Sequence, residues 1–225
     1  MAKIYWAGQS CFQISVSNSR DHSADIVIDP YDEKIGLKLP SLSADILLVT
    51  HDHYDHNNIK DVKGTPFVIQ GTGEYEVKEV FIQGIPSFHD DKEGKDLPAQ
   101  AGRGQNTIYM IEAEGMRFCH LGDLGQKQLT DEQLEKIDSV DVLMIPVGGE
   151  GYTIDSSGAQ RIISQIEPRI VIPMHYALPK NKIKLDEVSK FLKTMGKNSV
   201  TPQDKFTVKA SALPKDGMEI IVLQP

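Results

Sequence analysis

Short apolar segments separated by polar turn residues fill the first half of the chain, a pattern that predicts β-strands. Residues 3–6, 12–16 and 26–28 are rich in β-branched and aromatic side chains, and the polar turns between them favour an antiparallel arrangement. Residues 46–49 are apolar without alternation, which predicts a strand that is buried on both faces and ends at Thr50. The chain is therefore expected to open with a β-sheet.

Four further segments have the same strand-like composition, at residues 66–70, 77–82, 107–112 and 116–120. Residues 90–105 differ, because they contain charges, glycines and a proline with almost no apolar periodicity, which predicts a mobile surface loop. The basic side chains of this loop are Lys92, Lys95 and Arg103. They form either a solvated charged surface or a clamp for an anionic substrate.

Helical signals appear in the second half of the chain. Thr130 and Gln133 form a capping-box pattern before one predicted helix, and Asp155 caps a second helix that ends at Pro168. Apolar residues at helical spacing after position 187 predict a third helix, which ends at Gly196. Further strands are predicted at residues 142–147, 170–174, 206–210 and 219–223.

The order of these elements predicts an α+β fold in which two mixed β-sheets pack face to face with helices outside. Hydrophobic residues make up 40% of the 225 positions, which is enough for a core of this size. Neither a low-complexity linker nor an internal repeat interrupts the sequence. Residues 1–225 are therefore expected to form a single domain.

Charge and cysteine content narrow the choice of partners. Aspartate and glutamate (32) outnumber lysine and arginine (24), and the net charge of −8 opposes unspecific binding to nucleic acid. Cys11 and Cys119 are too few for a disulfide framework, and no basic-then-apolar leader precedes the first strand. No apolar run approaches the roughly 20 residues that span a bilayer. We expect a cytoplasmic protein that acts on a small molecule, without membrane or nucleic-acid contacts.

Residue types that bind metals are most concentrated in residues 51–56, which read His-Asp-His-Tyr-Asp-His. Alternate residues of an extended backbone point to the same side, so His51 and His53 are expected to bind one metal ion. Asp55 and His56, after a bend, are expected to bind a second ion. Imidazole and carboxylate donors suit zinc, with manganese or iron as alternatives.

The remaining ligands must come from other parts of the chain, because four adjacent donors cannot complete two coordination shells. His89, Asp123 and His175 each follow a predicted strand, and strand ends are where a sheet directs distant side chains to one point. His120 lies within a predicted strand, which favours a packing role over direct ligation.

These motifs together resemble the metallo-β-lactamase-fold hydrolases. The resemblance rests on HDHYDH, on His89, on Asp123 in HLGDLG and on His175 in PMHY, and it spans nearly the whole chain. It is nearest to small bacterial and archaeal zinc-dependent hydrolases related to the ascorbate-6-phosphate lactonases. It implies a four-layer αββα sandwich. One position departs from the pattern, since Gln9 stands where these relatives commonly carry histidine.

The resemblance also implies a ligand set for two divalent cations. The first cation would be held by His51, His53 and His89, and the second by Asp55, His56 and His175, with Asp123 bridging the two.

Two neighbouring cations can share a water, lower its pKa and present hydroxide as the nucleophile, so that no protein nucleophile is needed. Asp55 is expected both to ligate and to orient this hydroxide, which makes it the predicted catalytic residue. The expected reaction is hydrolysis of an ester, lactone or phosphoester of a small, anionic metabolite. Three alternatives stay open: a metallo-nuclease or phosphodiesterase, an oxidoreductase that holds iron, and a non-catalytic metal-binding relative.

Overall fold

The computed structural model describes residues 1–17, 23–89 and 104–225. Within these residues the strands are, in chain order, β1 (Ala2–Gly8), β2 (Cys11–Ser17), β3 (Ser23–Ile28), β4 (Ile46–Val49), β5 (Phe67–Gln70), β6 (Gly73–Val77), β7 (Val80–Phe88), β8 (Gln105–Ala113), β9 (Met116–His120), β10 (Val142–Pro146), β11 (Ile170–Met174), β12 (Phe206–Val208) and β13 (Glu219–Ile220). The α-helices are α1 (Asp131–Ile137), α2 (Ser156–Ile166) and α3 (Val188–Thr194).

The strands form two mixed sheets. The first has the order β12-β1-β2-β3-β4-β5, and the second has the order β13-β11-β10-β9-β8-β7-β6. In the first sheet β3, β4 and β5 run parallel while the other pairs are antiparallel. In the second sheet β9, β10, β11 and β13 run parallel, and β6 to β9 pair antiparallel. The predicted α+β architecture of two mixed sheets is confirmed.

Successive side chains of the central strands of the first sheet join two different apolar clusters, one on each face of the sheet. Ile26 and Ile28 join the large apolar cluster to which both sheets contribute. Val27 points to the other face and joins a second cluster with Ile35 and Leu42. Loop segments and short 3₁₀ turns therefore cover this outer face, and α1 packs against β7 of the second sheet.

The helix caps predicted in the second half of the chain are confirmed. Thr130 accepts a hydrogen bond from the backbone N–H of Gln133, whose side chain bonds back to Thr130, so the capping box is complete. Asp155 accepts from the backbone N–H of Gly158 at the start of α2. Strands β12 and β13 are shorter than predicted, since they end at Val208 and Ile220.

The prediction of one strand over residues 77–82 is wrong. The chain turns at Lys78 and Glu79, and strand β6 before this turn pairs antiparallel with β7 after it. Both turn residues adopt the left-handed region, with φ of 51° and 61°. Because this conformation favours glycine or asparagine, a Lys-Glu turn carries no recognisable sequence signal.

The last two expectations concern the predicted surface loop and the absence of membrane-spanning segments. The predicted surface loop, with Lys92, Lys95 and Arg103, falls almost entirely in residues 90–103, outside the described residues. Among the helices that the structure describes, none combines the length and the apolar composition needed to cross a membrane.

A buried tyrosine joins the two sheets near the end of β4. Tyr109 lies on β8 and is fully buried. Its hydroxyl lies 2.8 Å from the carbonyl oxygen of Val49 in β4 and 3.2 Å from that of Ile69 in β5. It also accepts a hydrogen bond from the backbone N–H of Gly71 at 3.1 Å. One phenol therefore satisfies backbone groups of the opposite sheet.

Removal of this hydroxyl should destabilise the protein. Tyr109→Phe removes the hydrogen bonds to the buried carbonyl of Val49 and to the part-buried N–H of Gly71, so we expect a loss of about 1–3 kcal/mol in the free energy of unfolding, measured with urea. Tyr75→Phe is the matched control, because the Tyr75 hydroxyl makes only an exposed contact with the carbonyl of Thr72. Equal stability of Tyr109→Phe and the wild type would contradict the structural role of the phenol.

Candidate metal centre

All seven predicted ligands meet at one edge of the two sheets. Residues 51–56 follow β4, His89 follows β7, Asp123 follows β9 and His175 follows β11. They form two groups, and within each group the potential ligand atoms lie within 4.8 Å of one another. The first group is His51, His53 and His89; the second group is Asp55, His56, Asp123 and His175.

The segment 51–56 reaches both groups by turning, not by extending. The backbone N–H of His53 bonds to the carbonyl of His51 at 3.1 Å, and that of His56 bonds to the carbonyl of His53 at 2.9 Å. The expected alternation of His51 and His53 on an extended backbone is therefore wrong, although the two histidines do share a group. Successive turns allow six residues to supply both groups.

Asp123 lies between the two groups. Its Oδ2 atom is 3.2 Å from His89 Nε2, which belongs to the first group. The same oxygen is 3.1 Å from His56 Nε2 and 3.2 Å from His175 Nε2, which belong to the second group. A single carboxylate oxygen thus faces three imidazole nitrogens that belong to both groups.

A buried amide holds the segment that carries Asp123. Asn106 accepts from the backbone N–H of Asp123 at 3.0 Å and donates to the carbonyl of Leu121 at 2.9 Å. Gly122 between them has φ of 56°, and a Cβ atom there would lie 2.3 Å from Asn106 Oδ1. Glycine is therefore required at this step, because any side chain would push Asn106 away from Asp123.

Asp29 and Thr50 orient two of the histidines, and neither was among the predicted site residues. Asp29 Oδ2 accepts from the Thr50 hydroxyl at 2.7 Å and lies 2.9 Å from His56 Nδ1. Because the Thr50 hydroxyl gives its proton to Asp29, it accepts from His51 Nδ1, at 2.9 Å. Each ring then directs Nε2 into the site. Asp29 follows β3, so the strand-end rule that selected the other residues also applies to it.

His120 has a supporting position. Its Nε2 atom donates to the carbonyl of Ser10 at 2.9 Å, and its Nδ1 atom accepts from the backbone N–H of Gly122 at 3.1 Å. Both ring nitrogens are used in the backbone contacts of a fully buried side chain, so the predicted packing role is confirmed.

The pKa values of the site follow from burial and from mutual attraction. Burial alone would raise the pKa of Asp123, but His175 and His56 hold it well below its usual value. Burial likewise opposes the low pKa of Asp55, which His56 maintains. Burial alone would lower the pKa of His56, but Asp123, Asp55 and Asp29 raise it well above its usual value. Without a metal, this mutual attraction favours ionised carboxylates beside a protonated His56.

The residues present fit divalent cations. His56 Nε2 is buried and makes no hydrogen bond of good geometry, although carboxylate oxygens surround it. Imidazole and carboxylate oxygens are ligands that zinc, manganese and iron share. A cation in place of the proton on His56 would satisfy this nitrogen and neutralise the two carboxylates at once.

Asp29 should support metal binding without touching the metal. Asp29→Asn replaces an acceptor of the His56 or Thr50 proton by a donor, so we expect zinc affinity to fall by about 10–100-fold, measured by competition with a chromophoric chelator. Asp32→Asn, three residues further on, is the matched control, because the Asp32 side chain caps the 3₁₀ turn Glu33–Ile35 and pairs with Lys34, away from the ligands. Unchanged affinity in Asp29→Asn would rule out this orienting role.

Zinc affinity of the second group should increase with pH. The raised pKa of His56 keeps the ring protonated at neutral pH, so a cation that binds Nε2 must displace a proton. We expect affinity to rise by about tenfold per pH unit, between about pH 6 and 8 in zinc titrations, until pH exceeds the raised pKa of His56. A constant affinity over this range would show that His56 is already neutral.

Comparisons with known proteins show the family of this chain. Residues 3–175 match the beta-lactamase superfamily domain. A UPF0173 metal-dependent hydrolase from Thermoplasma volcanium is 31% identical over 199 residues, which cover 77% of this chain and 83% of the relative. The crystal structure of a metallo-β-lactamase superfamily protein from Thermotoga maritima has 32% identity and a TM-score of 0.77, with 99% of each chain covered.

A more distant structure shares only the fold. The isothiocyanate hydrolase from Delia radicum gut bacteria has 14% identity and a TM-score of 0.67, over 92% of this chain and 99% of that one. The family match covers most of the chain and includes every residue of the two groups. The chain therefore belongs to the metallo-β-lactamase superfamily, and within it to the UPF0173 metal-dependent hydrolases.

Proposed function

We propose that this hydrolase uses two divalent cations, of which zinc suits the donors best, to cleave an ester, lactone or phosphoester of a small anionic metabolite. The observation that carries the proposal is the convergence of seven donors from four separate strand ends into two groups. Asp123, in contact with histidines of both groups, supports a paired site over two independent ones.

Divalent cations bound at such a site polarise a carbonyl or phosphoryl group and promote the ionisation of water. The residues of this chain supply the fixed positions that such chemistry requires. Asp29 and Thr50 hold two imidazoles, and Asn106 holds the backbone of Asp123. Because these supports are buried and bonded to the backbone, the ligands need little reorganisation when substrate binds.

We assign Asp55 to the orientation of the attacking water. Its carboxylate is buried, and its lowered pKa keeps it ionised at neutral pH. An ionised carboxylate accepts a hydrogen bond from a water and so fixes the direction of attack. The same low pKa makes Asp55 a weak base. It therefore suits a residue that orients the water better than a general base that takes the proton of the water.

The surroundings of the first group suit a small substrate. A cleft of about 540 Å³ opens beside His51 and is lined in part by Thr50, Gln70 and Thr107. This volume is in the range of small-molecule sites. Two divalent cations exceed the charges of Asp55 and Asp123, so the loaded site would attract an anion. Among the lining residues that the structure describes, none is a lysine or arginine, which disfavours a nucleic-acid backbone.

The proposal is tested with zinc-loaded protein and a panel of carboxylic esters, lactones, phosphomonoesters and phosphodiesters. Asp123→Asn should lower kcat/KM by more than about 100-fold, because residues that only support ligands already account for 10–100-fold. Asp131→Asn, in the exposed first turn of α1, is the matched control and should leave kcat/KM unchanged.

Other outcomes would favour the alternatives. If fully metallated protein hydrolysed none of these substrates, the result would contradict catalysis and support a metal-binding role without turnover. Salt-sensitive cleavage of labelled RNA would indicate a nuclease, since phosphate contacts weaken with ionic strength. Oxygen uptake by iron-loaded protein would indicate an oxidoreductase.

A further inference from the structure

A buried glutamine lies against the second group of ligands. Gln9 occupies the turn between β1 and β2, has φ of 53° and is fully buried. Its backbone carbonyl accepts from the Trp6 indole N–H at 2.9 Å and from the backbone N–H of His175 at 2.9 Å. The backbone of Gln9 is therefore fixed directly to the backbone of a candidate ligand.

The side-chain amide of Gln9 contacts two ligand atoms. Its Nε2 atom donates to Asp55 Oδ2 at 2.9 Å and lies 2.7 Å from His175 Nε2. These two ligand atoms are 4.0 Å apart. An amide N–H₂ group has two hydrogens and no acceptor, so it can donate to both atoms at once. The amide thus engages the Nε2 lone pair of His175 and one of the two lone pairs of Asp55 Oδ2.

The orientation of the amide is set by a backbone group. The N–H of Ile183 can only donate, and it bonds to Asn181 Oδ1 at 2.9 Å. Asn181 must then present its Nδ2 atom to Gln9, where it donates to Oε1 at 3.2 Å. The oxygen of Gln9 therefore faces Asn181, and its N–H₂ group faces the ligands. A rotated amide would place two donors or two acceptors in contact at Asn181.

A cation held by both Asp55 Oδ2 and His175 Nε2 would lie near the line that joins them, because metal–ligand distances are about 2.0–2.2 Å. The Gln9 amide nitrogen lies within 2.9 Å of both atoms, and it offers a cation hydrogens instead of a lone pair. Full coordination at this position therefore requires the amide to withdraw, or to rotate and present Oε1 at the cost of its bond with Asn181.

We propose that Gln9, held by Asn181, competes with the second cation, so that this protein binds one divalent cation tightly and a second one much more weakly. The inference rests on the proposed function, because it concerns how the two metal positions are filled. The amide contacts of Gln9 with candidate ligands fall on Asp55 and His175, which both belong to the second group. Cation supply would then decide whether the paired site is complete.

Zinc titration of Gln9→Gly tests the competition. Glycine adopts φ of 53° without strain and removes only the side chain. In the wild type, calorimetry should resolve two steps, the second at least about tenfold weaker than the first. In Gln9→Gly the second step should strengthen by about tenfold or more, because two hydrogen bonds no longer oppose it, while the first stays unchanged.

Asn181→Ala provides a second variant that touches no ligand. It frees the Gln9 amide to rotate, so the second step should again strengthen with the first unchanged. Asn198→Ala, at an exposed position, is the matched control and should titrate as the wild type. Native mass spectrometry at the same free zinc concentrations counts the ions bound per chain and does not depend on turnover.

The outcomes separate the two proposals. Two equally tight zinc ions in the wild type, or a second step that weakens in Gln9→Gly, would overturn the competition and leave the hydrolase proposal intact. A weakened second step would instead identify Gln9 as a support of the ligands. No zinc bound by any of the proteins would contradict the metal site itself, and the inference would fail with it.

Discussion

The arrangement of the site depends on pairing each buried carboxylate with hydrogen-bond donors or imidazoles, because an unpaired charge at this depth costs on the order of several kcal/mol. Asp123 faces three imidazole nitrogens, and Asp29 is bonded to Thr50 and to His56. Each compensation joins residues that come from different strand ends. Asp123 follows a strand of the second sheet and faces His56, which follows a strand of the first, so the two sheets must meet in one relative position for the charge of Asp123 to be tolerated. The same position brings the ligands together.

The sequence could predict the parts of the site that depend on local pattern. The HDHYDH run is visible directly, and His175 could be found because a buried strand precedes it. The support of Asp123 by Asn106 could not be found, because it depends on a contact between separate strands. The turn at Lys78 was missed since its residues adopt a glycine-like conformation without being glycine. Gln9 was visible only as a departure from a pattern, because its orientation depends on Asn181, 172 positions away.

The two groups of ligands differ in their surroundings, and this suggests a division of work. His51 and His53 are partly exposed, and His51 lines the cleft, whereas His56 and His175 are fully buried. Substrate would therefore enter on the side of the first group, and the second group would lie deeper in the protein. Buried residues such as Gln9 contact the second group directly. Metal binding there would therefore depend on the surrounding protein as well as on the metal concentration in solution.

The ligands come from both sheets: residues 51–56 follow a strand of the first sheet, while His89, Asp123 and His175 follow strands of the second. An ion held by these residues would join the two sheets and favour the folded chain by mass action. Cells that run short of the metal would hold a larger unfolded fraction of this protein and would degrade it sooner. The abundance of the enzyme, and not only its turnover, would then report on metal nutrition.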